Sequence, residues 1–120
     1  MQYRVTIQTG KRENAGTDAN VYITLFGTLG NSGERQLGLP NFDDFESGSN
    51  RVYLVRTNKS LGDLKQVRIR HDNTGSRPGW FLDFISVHEE ESDKEWMFPC
   101  QRWLSVGNDD GAIDRTLDTQ

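Results

Sequence analysis

The feature that most constrains this chain is a two-residue rhythm that never gives way to a helical one. Val67 and Ile69 alternate with Gln66, Arg68 and Arg70, and Tyr3, Val5 and Ile7 alternate with Arg4, Thr6 and Gln8. A strand sends successive side chains to opposite faces, so these runs predict strands with one face buried. Val21, Ile23 and Leu25 alternate with Tyr22, Thr24 and Phe26 and are apolar on both faces, which predicts a central strand. Val52 and Leu54 lie between Arg51 and Arg56 in another run, and 80–87 is the most apolar stretch. Shorter strands are predicted at 95–98 and 112–117, with an edge strand at 34–39. Glycines at 10, 16, 27, 30, 48, 62, 75 and 107 punctuate the runs. About eight strands at a spacing of roughly 10 to 15 residues predict an all-β fold, an antiparallel β-sandwich. The pattern alone leaves several sandwich topologies open.

A length of 120 residues suits one domain spanning 1–120. Only 33% of residues are hydrophobic, so three Trp, three Tyr and six Phe must carry much of the core. The net charge of −4 argues against a nucleic-acid binder and against simple adhesion to an anionic membrane. Cys100 is the one cysteine, which rules out an intrachain disulfide and makes a reducing, intracellular compartment the easier home. No apolar run approaches transmembrane length. A strand-like pattern begins directly after Met1, so no leader is expected. Asn58-Lys59-Ser60 is a glycosylation sequon, a triplet that often arises by chance.

Oxygen-bearing residues concentrate in three inter-strand segments: Asn14-Ala15-Gly16-Thr17-Asp18, Asn41-Phe42-Asp43-Asp44-Phe45-Glu46, and His71-Asp72-Asn73-Thr74. Alternate loops of a sandwich share an end, so all three are expected at one pole. Carboxylates gathered there repel one another unless a cation sits among them. Calcium takes roughly six to eight hard oxygen ligands, backbone carbonyls included. Gly16 lets a carbonyl turn inward, Asp18, Asp43, Asp44, Glu46 and Asp72 supply charge, and Asn14, Thr17 and Asn73 supply neutral oxygens. Magnesium, which keeps most of its waters, suits such a set less well, and zinc would want His or Cys close by. Turn chemistry alone also favours Asp and Asn in loops, so calcium is weighed against that reading.

The stretches "AGTDANVYITLFG" (15–27), "FDDFESG" (42–48), "LGDLKQVRIRHDNTG" (61–75), "PGWFLDFISV" (78–87) and "FPCQRWL" (98–104) resemble, in this order, the PLAT domain. The PLAT domain is also called LH2, and is similar to the C2-like domain of bacterial alpha-toxin. The resemblance runs from Tyr3 to about Leu117. It implies an eight-stranded C2-like sandwich of two four-stranded sheets, calcium (Ca2+) bound in loops at one end, and docking on membranes or partners. It places Gly16, Thr17 and Asp18 in the first metal loop, Asp43, Asp44 and Glu46 in the second, and Asp72 and Asn73 in the third. Membrane-docking members of the family carry exposed large apolar residues on these loops. Here the first tip reads Lys11-Arg12-Glu13-Asn14 and the third Thr74-Gly75-Ser76-Arg77. Insertion gains about 0.8 kcal/mol per buried CH₂, which these tips cannot supply. A calcium bridge to lipid phosphate, or a protein partner, is therefore expected in place of deep insertion. Arg12, Arg77 and Trp103 are the expected lipid or partner contacts, with packing beneath the last loop the other reading of Trp103.

Phe42 and Phe45 read as core residues, as does Trp80, and Cys100 as a small buried hydrophobe. Gln66, Arg68 and Arg70 read as the solvated face of a strand. His71 and His88 lack a nucleophile in a recognisable context, and Asp109-Asp110-Gly111 reads as a turn without EF-hand spacing. No catalytic constellation is found, so no enzymatic activity is expected. The leading expectation is a calcium-binding module, peripheral to membrane, that brings a host protein to lipid headgroups or protein partners. It is expected to be monomeric or part of a larger chain. The alternative is a calcium-independent protein–protein interaction scaffold within a larger membrane-associated protein.

Overall fold

The alternating runs fold as strands in a computed structural model that describes residues 1–12, 15–17, 19–38, 45–75 and 78–120. Among them, nine strands follow in chain order: β1 (Gln2–Thr9), β2 (Val21–Gly27), β3 (Gly30–Asn31), β4 (Arg35–Leu37), β5 (Asn50–Arg56), β6 (Leu64–His71), β7 (Trp80–Glu89), β8 (Lys94–Leu104) and β9 (Asp114–Asp118). All their pairings are antiparallel. One sheet has the order β5-β1-β7-β8, and the other β3-β2-β6-β9 with β4 also on β2. Strands β3 and β4 take successive stretches of the same β2 edge, so each sheet is four strands wide.

The register places like with like. Val5 faces Val87 and Ile7 faces Ile85 across β1 and β7, while Ile23 faces Ile69 and Leu25 faces Val67 across β2 and β6. All eight side chains are buried, and the inner faces of the two sheets form one core. Burying each such aliphatic side chain is worth about 1.5–3 kcal/mol. Strand β2 lies between its short edge partners and β6, as its apolar faces predict.

Two strands differ from the pattern-based expectation, and a third resolves what the pattern left open. The predicted edge strand at 34–39 is shorter, Arg35–Leu37, with Leu39 outside the described residues. Gly38 at φ 76° ends it. The predicted short strand at 95–98 runs on as far as Leu104. It tolerates Pro99 because β8 is an edge strand, and a bulge around Gln101, at φ 53°, re-aims its second half. In β5, Val52 and Leu54 face outward, 52% and 54% exposed, and Val55 enters the core in their place. A strand's polarity pattern reports its faces, and an edge strand with arginines on both sides carries too weak a pattern to tell them apart.

The two sheets meet where β8 passes to β9. Ser105 N–H donates to the Ala112 carbonyl at 3.0 Å, and Arg115 Nη2 donates to the Trp103 carbonyl at 2.7 Å. The β1–β2, β4–β5, β6–β7 and β8–β9 connections all leave from one end of the sandwich.

Candidate metal centre and docking pole

At that end the first two loops are laced together. Thr17 N–H donates to the Phe45 carbonyl at 2.9 Å, an isolated antiparallel bridge. Ala15 and Gly16 N–H both donate to Ser47 Oγ, at 3.1 and 3.3 Å. A Cβ on Gly16 would lie 2.6 Å from the Phe45 carbonyl oxygen and 2.8 Å from Glu46 Cα, so the approach needs glycine. Phe45 anchors the second loop from below. Its ring is 5.3 Å from that of Trp80 and 5.7 Å from that of Tyr53, in the core as the sequence suggests.

The third loop is tied to the first through one carboxylate. Asn20 N–H donates to Asp72 Oδ1 at 3.1 Å and Asn20 Nδ2 donates to Asp72 Oδ2 at 2.9 Å. Thr74 adds its N–H and hydroxyl to Asp72 Oδ1, at 3.2 and 2.6 Å. Partial burial pushes the Asp72 carboxyl up, but the bonds from Thr74 and Asn20 outweigh it and hold the pKa below the ordinary aspartate value.

His71 lies beneath, buried, with both ring nitrogens engaged. Nε2 meets the Leu104 carbonyl at 2.7 Å and Nδ1 accepts the Asn73 N–H at 3.0 Å. That pair of partners selects the neutral ring protonated on Nε2. Burial lowers its pKa, against the Leu104 carbonyl and the Asp72 charge, which raise it.

The expected cation ligands fall into three groups. Asn14, Asp18, Asp43 and Asp44 lie outside the described residues, as do Phe42 and Arg77. Gly16, Thr17, Glu46, Asp72 and Asn73 are brought to the same pole. Of these, the Thr17 hydroxyl is buried, donating to the Pro78 carbonyl at 2.5 Å and accepting the Ala19 N–H at 3.1 Å. Asp72 is half-buried in the staple, with Oδ2 accepting a single bond. Glu46 and Asn73 are exposed, Asn73 at a left-handed φ of 59°. Among the described residues no three His, Cys, Asp or Glu side chains stand together as a metal-holding group. The side chains these described residues bring there offer oxygen alone, and the imidazole beside them has no free nitrogen.

The β8–β9 loop is a fourth member of the pole. Its acids are already neutralised: Arg102 donates to Asp109 at 2.9 and 3.0 Å and to Asp110 at 3.1 Å, and Arg115 donates to Asp110 at 2.7 and 3.0 Å. The Arg102 bonds hold Asp109, and the Arg115 bonds hold Asp110, below the usual carboxylate range. The turn reading of Asp109-Asp110-Gly111 fits this arrangement, with Asp110 Oδ1 accepting the Ala112 N–H at 3.0 Å.

Arg12 and Trp103, distant in sequence, flank one ring. The Arg12 guanidinium carbon is 4.4 Å from the Phe81 centroid, and Trp103 meets the same ring edge-on at 5.4 Å. Beside them, Gly10, Lys11, Arg12, Phe81, Asp83 and Gln101 line an open cleft of about 510 Å³. The sequence showed Phe81 only as part of an apolar run. Its role as the common platform depends on the bulge at Gln101, for which nothing in the residue pattern is a signal.

Comparison with known proteins gives these features a context. The family model for the PLAT/LH2 domain matches residues 3–118. Lipoxygenase homology domain-containing protein 1 of Mus musculus is 51% identical over 117 residues, covering 96% of this chain and 6% of that protein. The polycystin family receptor for egg jelly of Mus musculus is 43% identical over 115 residues, covering 96% of this chain and 5% of that protein. Among solved structures, coral 8R-lipoxygenase superposes with a TM-score of 0.84 at 31% identity, over 99% of this chain and 17% of the enzyme. The chain thus spans a small fraction of the length of each of these three proteins.

Proposed function

Because the chain belongs to the PLAT/LH2 domain family, we propose that residues 1–120 act as one docking module that brings a host protein to membranes or protein partners through a calcium-dependent pole. The convergence of three oxygen-bearing loops, joined by the Thr17–Phe45 bridge and the Asn20–Asp72 staple, carries this reading. It is supported by the coral 8R-lipoxygenase, whose structure is described as showing calcium activation via a C2-like domain.

Asp18, Asp43, Asp44 and Glu46 would supply charge to the ion, Asp72 its remaining lone pairs, and Gly16, Asn14, Thr17 and Asn73 neutral or main-chain oxygen. Calcium, when bound, would offer positive charge and open coordination positions to phosphate or carboxylate oxygens. The chain's own part is to hold the loops in register, through Gly16 against Phe45 and Asn20 against Asp72. Arg12, Arg77 and Trp103 would meet the lipid headgroup or partner at the rim. We read the module as non-catalytic, since the similarity to lipoxygenase covers 17% of that enzyme. Attachment peripheral to the membrane fits the described residues, where no helix is long and apolar enough to cross one.

A calcium-independent scaffold is the second reading. The commitment of the Thr17 hydroxyl and of Asp72 Oδ1 to the protein's own loops favours it. Sedimentation with phosphatidylserine vesicles, with calcium and with chelator, separates the two. The calcium reading expects pelleting that needs calcium and is lost in the Asp43→Ala/Asp44→Ala variant, and calcium-indifferent behaviour would overturn it.

A further inference from the structure

The opposite end of the sandwich carries an open cleft of about 440 Å³ between the β2–β3 turn and the β5–β6 connection. Arg35, Arg56 and Lys59 line it together with Asn31, Asn58 and Ser60, and no carboxylate does. This is unexpected in a chain of net charge −4. Several cations elsewhere are matched: Arg4 pairs with Glu90, Arg68 with Asp114, Arg70 with Glu34, and Lys94 with Asp63. The three cleft cations have no carboxylate partner among the described residues. Arg35 and Arg56 each spend only Nε, on the Ser32 carbonyl at 3.1 Å and on Gln2 Oε1 at 3.0 Å, which leaves their terminal N–H groups for another acceptor.

The walls are fixed. Leu29 N–H donates to the Leu61 carbonyl at 2.9 Å and Thr28 N–H to the Asp63 carbonyl at 3.0 Å. A Cβ on Gly27 would lie 2.1 Å from the Leu61 carbonyl oxygen, so the turn sits directly on the neighbouring loop. Ser60 Oγ donates to the buried Glu89 at 3.2 Å, which pins the far wall. Like charges held around a rigid opening repel unless an anion lies between them, and guanidinium groups match a tetrahedral oxyanion by paired donation.

We propose that this cleft binds a phosphate group through Arg35, Arg56 and Lys59, independently of calcium. The same chemistry is offered by a free phosphate anion and by a lipid headgroup, and Leu29, 75% exposed on the rim, would lie against a lipid surface in the second case.

Calorimetric titration of the chain with tripolyphosphate in EDTA tests the site, which keeps the result separate from that of the calcium pole. Saturable binding that weakens as salt is raised is expected. Arg35→Gln/Lys59→Gln should lower the affinity at least about tenfold, and the single exposed-site variant Lys59→Gln by less, with unchanged urea unfolding. Lys65→Gln, at an exposed β6 position outside the cleft lining, should bind as the parent does. Sedimentation with phosphatidylcholine vesicles doped with phosphatidic acid separates the sources. Pelleting that requires Arg35 and Lys59 assigns the headgroup, and tripolyphosphate binding without pelleting assigns a free anion. Absence of both, or equal binding by the parent and the cleft variants, overturns the proposal.

Discussion

Asn20 and Asp72 form a two-point clasp, main-chain N–H to Oδ1 and side-chain amide to Oδ2, that fastens the first loop of the pole to the third. The third loop's own N–H and hydroxyl at Thr74 complete it. One carboxylate thus does the work of several loop contacts.

Replacing Asp72 with Ala should cost about 1–3 kcal/mol, because the partly buried Asn20 donors lose a charged acceptor. The charge has a separate signature. With its folded pKa depressed, Asp72 contributes stability that is present above the unfolded aspartate value of about 3.9 and is lost as pH falls through the folded value. Urea unfolding from neutral pH to strong acid should therefore show a smaller acid loss in Asp72→Asn than in the parent.

His71 predicts a second pH window, at higher pH. Its folded pKa lies below the unfolded histidine value of about 6.5, so the unfolded chain takes up the proton first. Stability from the neutral ring is complete above that value and declines as pH falls towards the folded pKa. The slope of unfolding free energy between neutral pH and mild acid should flatten in His71→Gln, whatever that variant's absolute stability.

Gly16→Ala should destabilise through space alone, by about 1–3 kcal/mol, because the new methyl group meets main-chain atoms of Phe45 and Glu46 that cannot rotate away. Phe45→Ala should cost more, about 3–5 kcal/mol, since the ring packs against both Trp80 and Tyr53. Denaturant midpoints of the two variants check the order.

These cases show why the fold was readable and the site only partly so. Alternation in β1, β2, β6 and β7 fixes a sandwich because a one-residue slip would turn every core side chain outward. Loop parity then places three oxygen-bearing segments at one end, where the described residues are found. Other features leave no periodic trace. The outward Val52 and Leu54 lie on an edge strand whose two faces look alike in sequence. The extension of β8 passes through a proline and a bulge, both of which read as endings. The Phe81 platform shared by Arg12 and Trp103 joins residues far apart in the chain. The cleft lined by Arg35, Arg56 and Lys59 likewise depends on which connections meet at the other end.

Truncating the rim separates docking from folding. Arg12→Ala with Trp103→Ala removes the cation and the edge-on ring from Phe81, contacts worth about 0.5–1.5 kcal/mol each. The double variant should stay folded by circular dichroism while its calcium-dependent vesicle sedimentation falls severalfold.

Thermal unfolding of metal-stripped protein, with calcium titrated in and magnesium as control, tests the central claim most directly. Binding to the folded state alone stabilises it by about 2.7 kcal/mol at a hundredfold excess over the dissociation constant. For a chain of this size the midpoint should rise by several degrees with calcium and much less with magnesium. An unchanged midpoint up to millimolar calcium would contradict the account and leave the pole's carboxylates as loop staples of the kind Asp72 forms.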